Sequence, residues 1–267
     1  MSIEPKIRLV VSDLDGTLLD EEGRLPPFLL PVVQSLDQKG IGFTFISGRP
    51  LPFLRGIIDE LKLTMPFGTA NGGMIYRGTS ILKESLFPMG ALRGLMETAC
   101  SNGATVLYYL EDIPYTMSVT PWILRQRGTI REYKLAKPTE KQWAEGQLEK
   151  ISMIFDDVGE IYRIVSPLLD VLEEEYTIVR YNTRSCEIMA QDVSKGRALI
   201  MLSEILGIPL SQIMAIGDDE NDIDMLEKAG LGVAVGNAVE SAMNAADYVC
   251  KAHNTEGVIE AINRFIP

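Results

Sequence analysis

The amino-acid sequence predicts an α/β fold: a doubly wound parallel sheet of Rossmann-like layout, with an α+β segment inserted into it. Three observations lead there. Short apolar, β-branched runs that end at acidic or small polar residues, such as Ile7–Ser12 and Ile213–Ile216, read as strands buried on both faces. At both ends of the chain such runs alternate with helical stretches, an order that implies parallel strands joined by right-handed crossovers. From about residue 84 to residue 187 the alternation gives way to strands joined by short turns, the pattern of a separate α+β module. Residues 1–83 and 188–267 are thus expected to form the core, and 84–187 an inserted domain.

In chain order, Ile7–Ser12 is the first strand. Pro26–Lys39 reads as a helix, with Pro at its start, Leu29, Leu30, Val33 and Leu36 on one face and Gly40 as the stop. Ile41–Ile46 is a second buried strand, running into Ser47-Gly48-Arg49-Pro50, and a helix follows to about Leu61. Phe67–Ala70 starts a third strand, and Asn71-Gly72-Gly73 is a turn. In the insert, Leu92, Leu95, Met96 and Ala99 mark an amphipathic helix, and Val106–Leu110 pairs with Tyr115–Val119. The stretch 121–146 reads as irregular and rich in charge. Ile151–Phe155 is a strand, Ile161–Glu174 a helix, and Thr177–Tyr181 with Cys186–Met189 a closing hairpin. The parallel pattern then resumes: helix Lys195–Leu206 ended by Gly207, strand Ile213–Ile216, helix Asp222–Ala229, strand Gly232–Ala234, helix Ala238–Ala245, strand Tyr248–Cys250 and helix Gly257–Phe265.

The chain has 267 residues, 46% hydrophobic and 23% charged, ordinary values for a soluble globular protein. Its formal charge of −12 argues against nucleic-acid backbone or an anionic membrane surface as partner. A small anionic substrate stays open, because a few local cations dominate a site. Cys100, Cys186 and Cys250 are far apart and form no CxxC, so they read as reduced thiols of a cytoplasmic protein. The single histidine, His253, excludes a multi-histidine metal site. The start MSIEPKIRLVVSD fits no signal peptide, and no run of roughly 18 apolar residues marks a transmembrane helix.

Four clusters carry chemistry. In Asp13-Leu14-Asp15-Gly16-Thr17 two carboxylates follow a buried strand, at the edge where open α/β sheets bind ligands. Their spacing places both near one crevice, where adjacent carboxylates are costly unless a cation such as magnesium sits with them or one is protonated. The same pattern occurs in nucleotide-sugar transferases. Ser47-Gly48 follows the second strand, where a hydroxyl and an amide can donate to phosphate, helped by a helix dipole if a helix starts there. Lys195 opens a helix and supplies a compact positive charge. In Gly217-Asp218-Asp219-Glu220-Asn221-Asp222, four acids in five positions at a strand end would repel one another without a cation. Asp218 is placed to reach a metal, Asn221 to donate to a phosphate oxygen, and Asp222 to cap a helix or support the site from behind. Asp219, Glu220 and Asp224 are left as solvated.

Taken in order, DxDGT at Asp13–Thr17, Ser47, Lys195 and GDxxND at Gly217–Asp222 resemble the haloacid dehalogenase superfamily. SGRP at Ser47–Pro50, NGG at Asn71–Gly73, SKG at Ser194–Gly196 and GDDENDIDML at Gly217–Leu226 are similar to its Cof-type phosphatases. The resemblance implies a magnesium-dependent phosphatase of small phosphorylated metabolites, with 84–187 as the cap that closes over the substrate. It implies Asp13 as nucleophile and Asp15 as general acid/base. Magnesium would be held by Asp13, Asp218 and the main-chain oxygen of Asp15, and phosphate by Ser47, Gly48, Lys195 and Asn221. Thr17 would tighten the loop, and Asp222 would orient Lys195 or a metal-bound water. A monomer or weak homo-oligomer is expected. The alternatives are a phosphomutase on the same scaffold, a nucleotide-sugar transferase, which leaves Lys195 and the GDDEND loop unexplained, and a non-catalytic phosphate-binding protein.

Overall fold

The computed structural model describes residues 7–129, 131–156, 159–181 and 183–266. It contains two compact units. The first comprises Met1–Arg49, Leu54–Lys83 and Ser194–Pro267, and the second Pro50–Phe53 and Glu84–Val193. The second thus runs past residue 187, because its last strand extends to Ala190.

Along the chain the first unit begins with β1 (Leu9–Ser12), α1 (Leu29–Gln38), β2 (Gly42–Phe45), α2 (Arg55–Leu61), β3 (Phe67–Thr69), β4 (Met74–Arg77) and β5 (Ser80–Glu84). The second supplies β6 (Phe87–Pro88), α3 (Arg93–Ser101), β7 (Thr105–Leu110), β8 (Ile113–Thr116), α4 (Pro121–Gln126), β9 (Lys134–Leu135), α5 (Glu140–Glu145), β10 (Gln147–Leu148), β11 (Lys150–Ile154), α6 (Glu160–Asp170), β12 (Tyr176–Tyr181) and β13 (Ser185–Ala190). The first then resumes with α7 (Lys195–Leu206), β14 (Ile213–Gly217), α8 (Ile223–Lys228), β15 (Leu231–Ala234), α9 (Glu240–Ala245), β16 (Tyr248–Val249) and α10 (Asn254–Phe265).

The sheet of the first unit has the order β16-β15-β14-β1-β2, all parallel. Leu9 and Val11 of β1, Ile213 and Ala215 of β14 and Ala198, Leu199 and Leu202 of α7 share one buried cluster. This is the α/β core that the apolar runs predict. Two local expectations fail. The third strand does not simply extend the parallel sheet: β3 meets Ile46 through one parallel bridge at Gly68 and pairs antiparallel with β4. The hairpin partner is Met74–Arg77, which an exposed Arg77 and a following glycine disguise as loop. The helix expected from Pro26 starts at Leu29, and Pro31 falls in its first turn, where a missing N–H costs no bond. No helix among the described residues is long and apolar enough to cross a membrane.

The second unit is built on a six-stranded sheet, β12-β13-β11-β7-β8-β9. Alternation along the strands puts Val106, Tyr108, Ile151, Met153, Cys186 and Ile188 into a cluster with Leu95, Met96, Val165 and Leu169 of α3 and α6. The stretch expected to be irregular holds α4 and α5, each of six residues, too short to show a helical period. Thr120 and Thr139 cap them, the latter in a capping box with Gln142.

Glu149, between β10 and β11, is 3% exposed. One of its oxygens accepts the Asp112 amide at 3.2 Å. Burial, then repulsion from Asp112, pushes its carboxyl up to about 7. An acid raised in the folded state above its ordinary value near 4.3 binds its proton more tightly folded than unfolded, so its contribution to stability is present at low pH and is lost as pH rises toward about 7. Glu149→Gln should therefore stabilise the protein at pH 8 by about 1–3 kcal/mol relative to wild type, with the difference shrinking below pH 5. Chemical denaturation at the two pH values checks this, and an equal difference at both would place the carboxyl in the ordinary range.

Candidate active site

Strands β14, β1 and β2 are parallel neighbours, and Ser12 lies opposite Ile216 on one side and Phe45 on the other. Asp13, Asp218 and Ser47 therefore emerge along one edge of the sheet, at its C-terminal ends. Asp13 remains tied to the ladder, its amide donating to the Ile216 carbonyl at 2.8 Å.

Lys195 opens α7, whose N-terminus is capped by Ser194. Its Nζ donates to Asp13 Oδ1 at 2.6 Å and to Asp222 Oδ1 at 2.7 Å. Asp13, Lys195 and Asp222 are 4%, 1% and 0% exposed. Ions this deep persist only when paired and hydrogen-bonded. Burial alone would lower the lysine, but Asp13 and Asp222 outweigh it and hold it above its ordinary value, so it stays a cation. Burial raises the Asp13 carboxyl, Lys195 opposes, and Asp222 and Asp218 add to the rise, which leaves it well above the ordinary range. Asp218 is pushed up to about 6, by burial first, with the Thr17 hydroxyl opposing and Asp222 adding.

One oxygen each from Asp13, Asp218 and Asp222 lie within 4.8 Å of one another. Three carboxylates against one ammonium leave a net −2 when all are ionised (−3 + 1). A hard divalent cation with oxygen ligands fits that imbalance and that donor set. Asp222 is otherwise engaged, since Oδ1 accepts from Lys195 and Oδ2 accepts the amides of Asp218 and Asp219 at 3.0 and 3.1 Å. Asp13 and Asp218 are the members left to ligate a metal. Thr17 donates to Asp218 Oδ1 at 2.6 Å. Gly16 stands at φ +84°, and a Cβ there would lie 2.2 Å from Asp218 Oδ2, so only glycine fits. A Cβ on Gly217 would lie 2.6 Å from Asp222 Cβ, a second place where the acidic loop demands a bare backbone.

The remaining expected residues divide. The Asp15 carboxylate does not join Asp13 and Asp218: it is half exposed and turns to Arg49, whose Nε donates to Oδ2 at 2.8 Å and whose Nη2 donates to Oδ1. A guanidinium fork matches a carboxylate better than two more acids would. Ser47 is buried and its Oγ accepts the Arg49 amide at 3.1 Å. No helix starts at Ser47-Gly48, since the first helical turn begins at Leu51, so the condition for help from a helix dipole there is not met. Asn221 Nδ2 donates to Asn71 Oδ1 at 3.1 Å, and a Cβ on Gly48 would come within 3.0 Å of the same oxygen, so Gly48, Asn71 and Asn221 gather together. His253 is exposed, just before α10.

Asp224, expected to be solvated, accepts the Ser194 hydroxyl and, at 2.9 Å, the Gly196 amide, which pins the end of α7 from which Lys195 projects. Asp219 likewise caps the turn at Glu220–Asp222. Asn237 donates to the Gly16 carbonyl at 2.8 Å. The motifs SGRP, NGG and GDDENDIDML contain Arg49, Asn71 and Asp224 in the sequence, whereas nothing local flags Asn237.

A family model described as haloacid dehalogenase-like hydrolase matches residues 10–262. The chain is 28% identical over 262 residues to the 5-amino-6-(5-phospho-D-ribitylamino)uracil phosphatase of Bacillus subtilis, across 97% of this chain and 96% of that one. It is 27% identical over 267 residues to the phosphoglycolate phosphatase of Methanoculleus marisnigri, across 98% and 97%. The crystal structure of a haloacid dehalogenase-like hydrolase from Bacteroides thetaiotaomicron superposes with a TM-score of 0.85 at 27% identity, covering 98% of this chain and 100% of that one. A Thermotoga maritima structure gives 0.83 at 25% identity, covering 97% of each. With the family matched from the first strand to the last helix, the chain belongs to the haloacid dehalogenase-like hydrolases, among that family's phosphatases.

Proposed function

We propose that the protein is a magnesium-dependent phosphatase that hydrolyses small phosphomonoesters, sugar phosphates or related metabolites, through an aspartyl-phosphate on Asp13. The observation that carries the reading is Lys195, buried and shared between Asp13 and Asp222 at the ligand-binding edge of the sheet. A structural ion pair needs one carboxylate. Two, with Asp218 beside them, suit a site meant to receive a cation and a phosphoryl group.

In the proposed reaction a carboxylate oxygen of Asp13 attacks phosphorus in line, and the bond to the leaving oxygen breaks as the acyl phosphate forms. Asp15 delivers a proton to the leaving oxygen, then takes one from the water that attacks the acyl phosphate, which restores Asp13 and releases phosphate. Asp13, Asp218 and the Asp15 main-chain oxygen would hold magnesium, which would supply positive charge against the carboxylates and the phosphoryl oxygens. Lys195 favours the ionised form of Asp13, orients it and offsets phosphoryl charge. The Ser47 oxygen accepts the Arg49 amide, which leaves its own hydrogen available to donate. With Gly48 and Asn221 it is assigned to the phosphoryl oxygens. Thr17 steadies Asp218, and Asp222 steadies Lys195. The second unit is assigned the part of the family's cap. The two relatives named above act on quite different phosphomonoesters, which supports small phosphomonoesters as the class without singling out one.

Release of p-nitrophenol from p-nitrophenyl phosphate, followed with magnesium and with a chelator in its place, checks the reading. The expected result is turnover that needs magnesium and falls at least about 1,000-fold in Asp13→Asn, the scale on which loss of a covalent nucleophile acts. Turnover that persists in Asp13→Asn would remove Asp13 as nucleophile.

A further inference from the structure

Arg49 lies in the loop after β2 and is 6% exposed, whereas the Asp15 side chain it binds is 50% exposed. The geometry is that of a fork on a carboxylate: Nε to Oδ2 at 2.8 Å and Nη2 to Oδ1. Each Asp15 oxygen gives up one lone pair to the fork and keeps its other one, so the carboxylate retains acceptor sites while its plane is fixed. The third guanidinium nitrogen, Nη1, is buried with no partner. A cation buried in this way, paired to a half-exposed acid and left with an unmet donor, is a poor stabilising device. An unsatisfied buried donor of this kind needs a reason, and service to a site is one.

The backbone of Arg49 is as firmly held as its side chain. Its amide donates to Ser47 Oγ at 3.1 Å, and its carbonyl accepts the Ala70 amide at 3.0 Å. Pro50 follows, which restricts the Arg49 backbone to extended conformations. One residue thus links the hydroxyl assigned to the phosphoryl group with the carboxylate assigned to proton transfer. Arg55, the next arginine along the chain, is exposed and is not among the ion pairs found in the described residues.

We propose that Arg49 is the positioning residue for Asp15: its side chain sets the direction in which the Asp15 carboxylate meets the leaving-group oxygen, and its amide sets the Ser47 hydroxyl against the phosphoryl group. This rests on the phosphatase mechanism proposed above. Arg49 touches no reacting atom and acts through Asp15, so its loss matters most where the leaving group needs a proton. Phenoxide needs one far more than p-nitrophenoxide does.

The test is kcat/KM, which reports on leaving-group departure, for phenyl phosphate and p-nitrophenyl phosphate in wild type, Arg49→Lys, Arg49→Ala and Asp15→Asn, and in the Arg49→Lys/Asp15→Asn double variant. The Arg49 variants are expected to lose about 100-fold on phenyl phosphate, the scale of a misaligned or missing general acid, and less than about tenfold on p-nitrophenyl phosphate. In the Asp15→Asn background Arg49→Lys should cost nothing further. Melting temperature reports folding, and if Arg49→Ala does not fold, Arg49→Lys and Arg49→Gln carry the comparison. Equal losses on the two esters, or additive losses in the double variant, would overturn the proposal and leave Arg49 a structural residue. Absence of wild-type turnover on both esters, or full turnover by Asp13→Asn, would overturn the phosphatase mechanism itself and the role of Arg49 with it.

Discussion

The site depends on one buried ammonium. Lys195 Nζ joins the end of β1 to the loop after β14 by donating to Asp13 and Asp222, 182 and 27 residues away in the chain. Without that charge, Asp13 and Asp222 would be two nearly unexposed carboxylates facing each other, an arrangement in which one of them must take up a proton. Much of the surrounding structure serves to keep the ammonium where it is. Ser194 caps α7 and Asp224 holds its first turn, so that the helix delivers the lysine at its start. Asp222 gives its second oxygen to two amides of its own loop, which fixes that loop against the lysine. Gly16 and Gly217 leave room where a Cβ would push the acids apart.

The charge arithmetic is unfinished within the protein, and this makes the arrangement chemical more than structural. With one cation for three carboxylates, Asp13 and Asp218 are held above the ordinary carboxylate range. A divalent cation would reverse that by rewarding the ionised forms. In the proposed reaction such a cation would join the Lys195 ammonium against the charge of a phosphoryl group, although the chain as a whole carries a formal charge of −12. Net charge argued against polyanionic partners and was silent about a small anion, because the positive charge at the site is local.

What the sequence made legible follows from where the information lies. Buried parallel strands have an unmistakable composition, so β1, β2 and β14 and the polar residues at their ends could be placed from short runs alone. Lys195 and the Gly217–Asp222 loop stood out because their charges sit beside strand and helix ends. Side-chain direction was not legible. Two acids spaced by two, Asp13 and Asp15, look equivalent along the chain, yet one turns into the ion cluster and the other to Arg49, since a buried guanidinium is the stronger local partner. Asp224 looked like another solvated acid, and its partners Ser194 and Gly196 lie about thirty positions away, 30 and 28 residues. Antiparallel pairing of β3 with β4 was hidden for the same reason: pairing is a property of two segments, and Met74–Arg77 carries no strong signal by itself.

The central claim is that the Asp13 carboxylate held by Lys195 is the group that receives phosphorus. Quenching the enzyme during turnover of a phosphomonoester, reducing it with borohydride and sequencing its peptides tests this directly, because reduction of an acyl phosphate converts the aspartate that bore it to homoserine. The account predicts homoserine at position 13 in the wild type and none in Asp13→Asn. Homoserine at Asp15 or Asp218, with Asp13 unchanged, would contradict it.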